Sequence, residues 1–478
     1  MHAIDLKPSK SYIVHIHKLL YIGVLMKYDI VVVGGGPAGL SAAMALKTKY
    51  RNKSLILIKQ EEIGLVPCGM PYIFGKLNYN VDADVKPHKP FIDAGGILLI
   101  DTVTSLVREK KEINTKNSGV IEYDKLLLAT GSDPLIPKFI KGYDNPNIYY
   151  IKKSYNYMKD ISPILKISKR IAIIGGGFIG LEVADELAHD KNKEISLIEM
   201  EENVLSLAFS KFFSEKAEES LEKNAINILT NTKLLEVKQN INDIQLNFSD
   251  GESLCVDAVI FALGYRPNTQ FAKEAGLTLN KFGAINVDNF MRTDDKDILA
   301  IGDCAKKRDF FTRKDSNAML ASVAGAESRF VAENFFEVCS TKNSIGTIRV
   351  FSTMLNGQVF AVAGLTEKEA TEENMDVTIG KFTGYDKHPR TLPGTTKITI
   401  HLTSMRKTGA IVGAEITGGQ SVGEMINVLA VAIQSRLTIY ELYSYQIGTQ
   451  PLLTAGPTVT PIMKVLENTI RSKSLNKE

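Results

Sequence analysis

Two strand–turn–helix units, built to one plan and 141 positions apart, constrain this chain more than any other feature. In the first, Asp29-Ile-Val-Val-Val33 runs into Gly34-Gly-Gly36-Pro37-Ala38-Gly39, and an alanine-rich helical segment follows from about Leu40 to Lys47. In the second, Arg170-Ile-Ala-Ile-Ile-Gly175-Gly-Gly177-Phe178-Ile179-Gly180-Leu-Glu182 repeats the pattern, and the strand Ile195-Ser-Leu-Ile-Glu199 comes after it. A turn without side chains lets backbone N–H groups and the positive end of a helix meet a pyrophosphate. One such turn is a weak signal, because glycine turns after strands occur in proteins that bind no nucleotide. Two of them predict two dinucleotide modules.

About 29 residues beyond the last glycine of the first turn comes Val66-Pro67-Cys68-Gly69-Met70-Pro71-Tyr72. Cys68 stands among turn-forming residues just before a predicted short helix, a placement that favours a thiolate. The other three cysteines, Cys255, Cys304 and Cys339, are far apart and show no CxxC or zinc-ligand spacing. Neither a disulfide framework nor a metal site is predicted, and a reducing, cytoplasmic setting is the default. At 478 residues and 44% hydrophobic content the chain has room for about three globular domains. Its net charge of +3 is too small and dispersed to make nucleic acid or an anionic membrane a main partner.

The two modules and the single cysteine together resemble the flavoprotein pyridine nucleotide-disulfide oxidoreductases. Within them the chain is similar to the single-cysteine branch of coenzyme A-disulfide reductases, persulfide reductases and NADH oxidases, from about Lys27 to Ile462. The resemblance implies an α/β fold: two Rossmann-like, three-layer (ββα) domains for FAD and NAD(P)H, plus a C-terminal α+β dimerisation domain. It divides the chain into an N-terminal extension (1–26), a first flavin part (27–146), a nicotinamide domain (147–264), a second flavin part (265–340) and a dimerisation domain (341–478).

The segment Leu19–Met26 is apolar but far shorter than the roughly 20 residues of a membrane-spanning helix, and it lacks a small-residue cleavage site. Met26-Lys27-Tyr28-Asp29 reads as a natural start for such a fold, so the first 25 residues are expected to be an extension or a misassigned start.

Residue by residue, the resemblance gives FAD the turn Gly34, Gly36, Pro37, Ala38 and Gly39, then Thr130-Gly131 after the strand Leu126–Leu128. It adds Asp303, which ends Ile298-Leu-Ala-Ile-Gly302, as the acceptor for a ribityl hydroxyl. The helix beginning around Asn317–Ser322, with Ala321, would aim its N–H groups at the flavin pyrimidine. Where the flavin module normally ends its second strand in an acidic ribose partner, this chain has Lys59, with Glu61 and Glu62 just beyond. Segments near Ile97–Ile100 and Asp124–Leu128 are expected to be antiparallel strands under the site.

For the nicotinamide nucleotide the resemblance assigns Gly175, Gly177, Phe178, Ile179 and Gly180, with Gly264 at the return to the flavin module. Glu199 is the expected ribose acceptor, and no arginine follows to take a 2′-phosphate, so NADH should be preferred over NADPH. Glu182 matches a glutamate near the nicotinamide or flavin; its alternative is a helix-surface charge. Cys304 reads as a small buried filler. From about Gly346, strands at Ile348–Phe351, Val377–Phe382 and Lys397–Leu402 and a helix over Ser421–Gln434 form the domain through which two chains would pair. His388, next to Pro389, is expected in a structural loop.

The implied chemistry is a relay in which NADH reduces the flavin on one face and Cys68 works on the other, breaking a disulfide or persulfide. Ile73 stands where two-cysteine relatives have their second cysteine, and Gln450 of Thr449-Gln-Pro451 stands where they have a histidine. Pro37 occupies the histidine position of the oxidase branch, which argues against peroxide reduction. Ser41 matches a coenzyme A contact, whereas Pro67 and the tyrosines Tyr443 and Tyr445 fit that pattern poorly. Three functions follow: an NADH-dependent reductase of a disulfide, persulfide or polysulfide; an NADH oxidase passing electrons to oxygen or a redox protein; and a flavin-binding signalling protein with little turnover.

Overall fold

The computed structural model describes residues 26–341 and 346–475; the expected extension before Met26 lies outside them. Nearly every residue of the strand β1 (Met26–Val33) from Ile30 on is buried, as a central parallel strand rich in β-branched residues requires. It leads into helix α1 (Pro37–Lys49), and strand β2 (Leu55–Lys59) returns parallel to it. Strands β3 (Ile97–Ile100), β4 (Val103–Val107), β5 (Glu112–Thr115) and β6 (Gly119–Leu128) complete the first part of this sheet.

The predicted antiparallel arrangement of Ile97–Ile100 and Asp124–Leu128 is corrected here. β3 pairs parallel with β2, and the second half of β6 pairs parallel with β1. Only β4, β5 and the start of β6 are antiparallel. The long connection over residues 60–96, which ends in the short helix Lys89–Asp93, carries the chain from β2 back to the same end of the sheet, and a crossover of that kind makes the next strand parallel.

The second sheet repeats the first. Strand β7 (Ile148–Tyr150), helix α2 (Tyr155–Ile167), strand β8 (Arg170–Ile174), helix α3 (Phe178–Leu187), strand β9 (Glu194–Ile198), helix α4 (Lys211–Glu222), strand β10 (Asn227–Leu229) and strand β11 (Ala258–Phe261) build it. Its strand order is β7–β11–β8–β9–β10, all parallel. The chain then rejoins the first sheet, where strand β12 (Ile298–Ala300) pairs with β6 and helix α5 (Ala321–Asn334) packs on α1. One parallel-sheet unit is thus inserted within the other. Crossing segments Ser132–Pro134 and Tyr265–Pro267 pair with each other as the two strands of the connection.

A third unit follows: strands β13 (Val350–Leu355), β14 (Gln358–Gly364), β15 (Val377–Tyr385), β16 (Lys397–Met405) and β17 (Ile411–Gly418), with helix α6 (Val422–Gln434) on one face. The antiparallel order is β13–β14–β17–β16–β15. Among the described residues no helix is long and apolar enough to cross a membrane.

Candidate active site between the two modules

The two glycine turns are near copies in backbone geometry. Gly34 and Gly175 both have φ +113°, and each amide donates to a carbonyl near the end of the next strand, Ile58 or Ile198, at 2.8 Å. A Cβ at Gly39 would lie 1.8 Å from the Gly34 carbonyl oxygen, and one at Gly180 2.0 Å from that of Gly175. These two glycines let helix and strand pack closely, which explains why neither lines the cavity described below. Gly36 and Gly177 are different: a Cβ there meets nothing within 4 Å, and each precedes a helix whose first amides receive no side-chain cap. Both turns therefore present uncapped N–H groups to open space, as a pyrophosphate requires.

The turns open on one cavity of about 1050 Å³. Its lining includes Gly34, Gly36, Pro37, Ala38, Lys59, Cys68, Thr130, Gly131, Asp303 and Ala321 from the first module, and Gly175, Gly177, Phe178, Ile179, Glu182, Glu199 and Gly264 from the second. Ser41 lies on the exposed face of α1 and His388 in a C-terminal loop, where its backbone N–H donates to Pro451; neither lines the cavity. Gln450 is exposed. Among the described residues no group of three acidic, histidine or cysteine side chains could hold a metal ion.

Asp303 is held by two donors, Ser132 Oγ at 2.7 Å and Lys153 Nζ at 2.8 Å. Burial works against its charge, but Lys153 and Ser132 outweigh that and keep the carboxyl below its ordinary range. The turn beneath it is pinned by the buried pair Lys307–Glu327: Lys307 donates to the carbonyls of Gly302 and Ala305, and Glu327 accepts from the Gly302 amide. Cys304 is fully buried, as a small filler would be. Lys153 was not legible as a site residue, because it acts from the loop between β7 and α2. The Tyr265 ring supports its ammonium at 4.7 Å.

At the end of β9, Glu199 accepts from the Gly176 amide at 2.6 Å and the Glu201 amide at 2.9 Å. Those bonds fix both oxygens and leave lone pairs for ribose hydroxyls. At the matching place in the first module, the Lys59 stem lies over Gly35, whose Cβ would come within 2.8 Å of it. Its ammonium donates to the Glu62 carbonyl at 3.2 Å. Glu61, one of the two carboxylates just beyond Lys59, is committed elsewhere: it accepts from Ser154 Oγ and from the Tyr155 amide at the start of α2.

Cys68 is exposed to the cavity, in a turn closed by the Gly69 amide donating to Val66 and followed by the short helix Met70–Phe74. Gly69 has to be glycine, since a Cβ would fall 1.8 Å from Asp84 Oδ1. The protein groups around Cys68 do not by themselves supply the expected preference for a thiolate. Burial pushes the thiol up, the charges of Glu182, Asp303 and Asp84 push it further, and Lys153 opposes them. The helix beyond Cys68 is a five-residue 3₁₀ turn, too short to supply a compensating dipole. Tyr72 also faces the cavity, and burial raises its phenol to about 12.

Glu182 is no helix-surface charge. It points into the cavity and accepts a hydrogen bond from Thr353 Oγ1 of the third unit at 2.8 Å. Burial raises its carboxyl to about 7 despite that bond.

Residues 28–328 match the family described as pyridine nucleotide-disulphide oxidoreductase, and residues 351–459 match the dimerisation domain of that family. The chain belongs to the pyridine nucleotide-disulphide oxidoreductases; it is an oxidoreductase of the FAD- and NAD(P)H-using kind. An NADH oxidase of Methanocaldococcus jannaschii is 28% identical over 442 residues, 88% of this chain and 94% of the relative. An NAD(P)H coenzyme A polysulfide/persulfide reductase of Pyrococcus horikoshii is 27% identical, covering 83% of this chain and 89% of its own. The solved NAD-dependent persulfide reductase from A. fulgidus superposes with a TM-score of 0.86 at 26% identity, over 94% of this chain and 84% of that one.

Proposed function

We propose that this protein is an FAD-dependent NADH oxidoreductase that reduces a small-molecule disulfide, persulfide or polysulfide, with coenzyme A derivatives as leading acceptors. The observation that carries this reading is Cys68, among the described residues the one cysteine lining a cavity shared by two pyrophosphate-ready turns. FAD and NADH, when bound, supply an electron pair. FAD would be held by the Gly34–Gly39 turn, Thr130-Gly131, Asp303 and the start of α5, and NADH by the Gly175–Gly180 turn, Glu199, Glu182 and Gly264. The carboxylate of Glu199 would repel a 2′-phosphate, which supports NADH over NADPH.

Cys68, as its thiolate, attacks one sulfur of the acceptor; the S–S bond breaks, the other sulfur leaves as a thiol after taking one proton, and a mixed disulfide remains on Cys68. Two electrons and a second proton then release the bound half as a thiol and restore the thiolate. Lys153 opposes the carboxylates around the sulfur, and Tyr72, which lines the same cavity, holds a proton at its phenol oxygen. Residue 73 is isoleucine, so no neighbouring cysteine competes for the mixed disulfide. The division of the chain into flavin (27–146 and 265–340), nicotinamide (147–264) and dimerisation (341–478) domains belongs to this reading, as do a homodimer and a cytoplasmic setting. The dimerisation-domain match supports the homodimer.

Relatives called NADH oxidases favour a second reading, in which oxygen takes the electrons. NADH consumption by the flavin-loaded protein separates the two. Anaerobic turnover with coenzyme A disulfide, its persulfide or polysulfide supports the reductase; turnover with oxygen alone replaces it with the oxidase.

A further inference from the structure

In sequence, the Cys68 segment lies between strands of the first module, but its packing belongs to the second. Met70, Ile73, Phe74 and Val81 share one apolar cluster with Leu181 and Leu187 of α3, whereas the strands of the first sheet are buried in separate clusters. Polar contacts repeat this allegiance. Glu186, at the far end of α3 and only 1% exposed, accepts from the Lys76 amide at 2.8 Å and pairs with the Lys76 ammonium. Between them Gly75 has no room for a side chain: a Cβ would lie 2.4 Å from Glu186 Oε2. The same ammonium sits 5.4 Å from the centre of the Tyr72 ring, within the cavity-lining stretch that holds Cys68. Further along, Asp82 accepts from Tyr155 Oη at 2.5 Å and Lys159 Nζ at 2.7 Å, both on α2.

The N-terminus of α3 is the end that the Gly175–Gly180 turn presents to a pyrophosphate. One helix therefore has a nucleotide site at its start and the anchor of the redox cysteine at its finish. We infer that occupancy of the nicotinamide site is transmitted along α3 to Cys68, with Glu186 and Lys76 as the positioning pair. This rests on the reading that the second turn takes the nicotinamide nucleotide. It gives the enzyme a way to match the state of the cysteine on one side of the cavity to the presence of reductant on the other.

The test uses flavin-loaded full-length protein and NAD⁺, which occupies the site without delivering electrons. The rate of Cys68 alkylation by iodoacetamide, located by peptide mass, is measured with and without saturating NAD⁺, and NAD⁺ affinity is measured in parallel by calorimetry. In the wild type NAD⁺ should change the rate about fivefold or more. Lys76→Met, with its folding checked by flavin content and Tm because it leaves the buried Glu186 without its ammonium, should keep NAD⁺ affinity within about twofold and lose that response. Lys76→Arg should retain it. A Lys76→Met response equal to that of the wild type would mean simple shielding of the sulfur and overturn the inference. So would a wild-type rate that NAD⁺ leaves unchanged while it binds. Failure of NAD⁺ to bind at all would instead overturn the assignment of the second turn, and the inference with it.

Discussion

The two glycine turns share a backbone and differ in one charge. Each covers its middle glycine with a side chain at or just past the end of the next strand, Lys59 over Gly35 and Glu199 over Gly176. The close approach is the same, so the fold asks only for a long side chain there. Chemistry asks for the carboxylate, and only the second module has it. A nucleotide that must be recognised afresh at each turnover benefits most from a ribose acceptor. A resident cofactor can be held elsewhere, and on the function proposed here the anionic anchor of the first module is Asp303, reached through a different strand.

The sharpest way to break this comparison is to remove that anchor. Asp303→Ala should weaken FAD binding by about 100-fold or more, because it deletes an acceptor and leaves the Lys153 ammonium without its carboxylate. Flavin retained after gel filtration reads it. Glu199→Ala comes next: losing charged hydrogen bonds worth about 1.5–3 kcal/mol should raise the KM for NADH about 10–100-fold with FAD content unchanged. Lys59→Glu would give the first module the charge of the second. It should slow FAD release about fivefold, the worth of about one net hydrogen bond; faster release would show that Lys59 itself holds the cofactor.

The smallest effect concerns how the second module is anchored. Glu415 of β17 accepts from the Ser210 amide at the start of α4 at 2.6 Å, and burial raises its carboxyl to about 7. The folded protein therefore keeps that proton where the unfolded chain has already lost it. Stability from this group is present below about pH 4.5 and is lost as pH rises toward 7. Glu182 and Asp84, raised to about 7 and about 6, act in the same direction. Glu415→Gln should reduce the fall in Tm between pH 5 and pH 8 by about 2 °C.

What could be read without the structure was whatever is local. The turns, Cys68, Glu199 and the Gly302-Asp303 stop are each written in a few consecutive residues, and the cavity gathers them. What could not be read depends on chain brought from far away. Lys153 reaches Asp303 across 150 positions, and Thr353 reaches Glu182 across 171. The raised Cys68 thiol has the same origin, since three of the groups that set it, Glu182, Asp303 and Lys153, come from distant segments. An isolated apolar run of four residues such as β3 does not state its own direction. Direction came from the long connection before it.

In the proposed function Cys68 is the sulfur that carries the reaction. The direct measurement is the intact mass of the flavin-loaded protein after exposure to coenzyme A disulfide, before and after anaerobic NADH, in the wild type and in Cys68→Ser. The wild type should gain one coenzyme A on Cys68 and lose it when NADH is added. The variant should gain none, and its turnover should fall about 1000-fold, a barrier increase of about 4 kcal/mol. A variant that still turns over the disulfide at the wild-type rate, or an adduct that NADH leaves in place, would contradict the account.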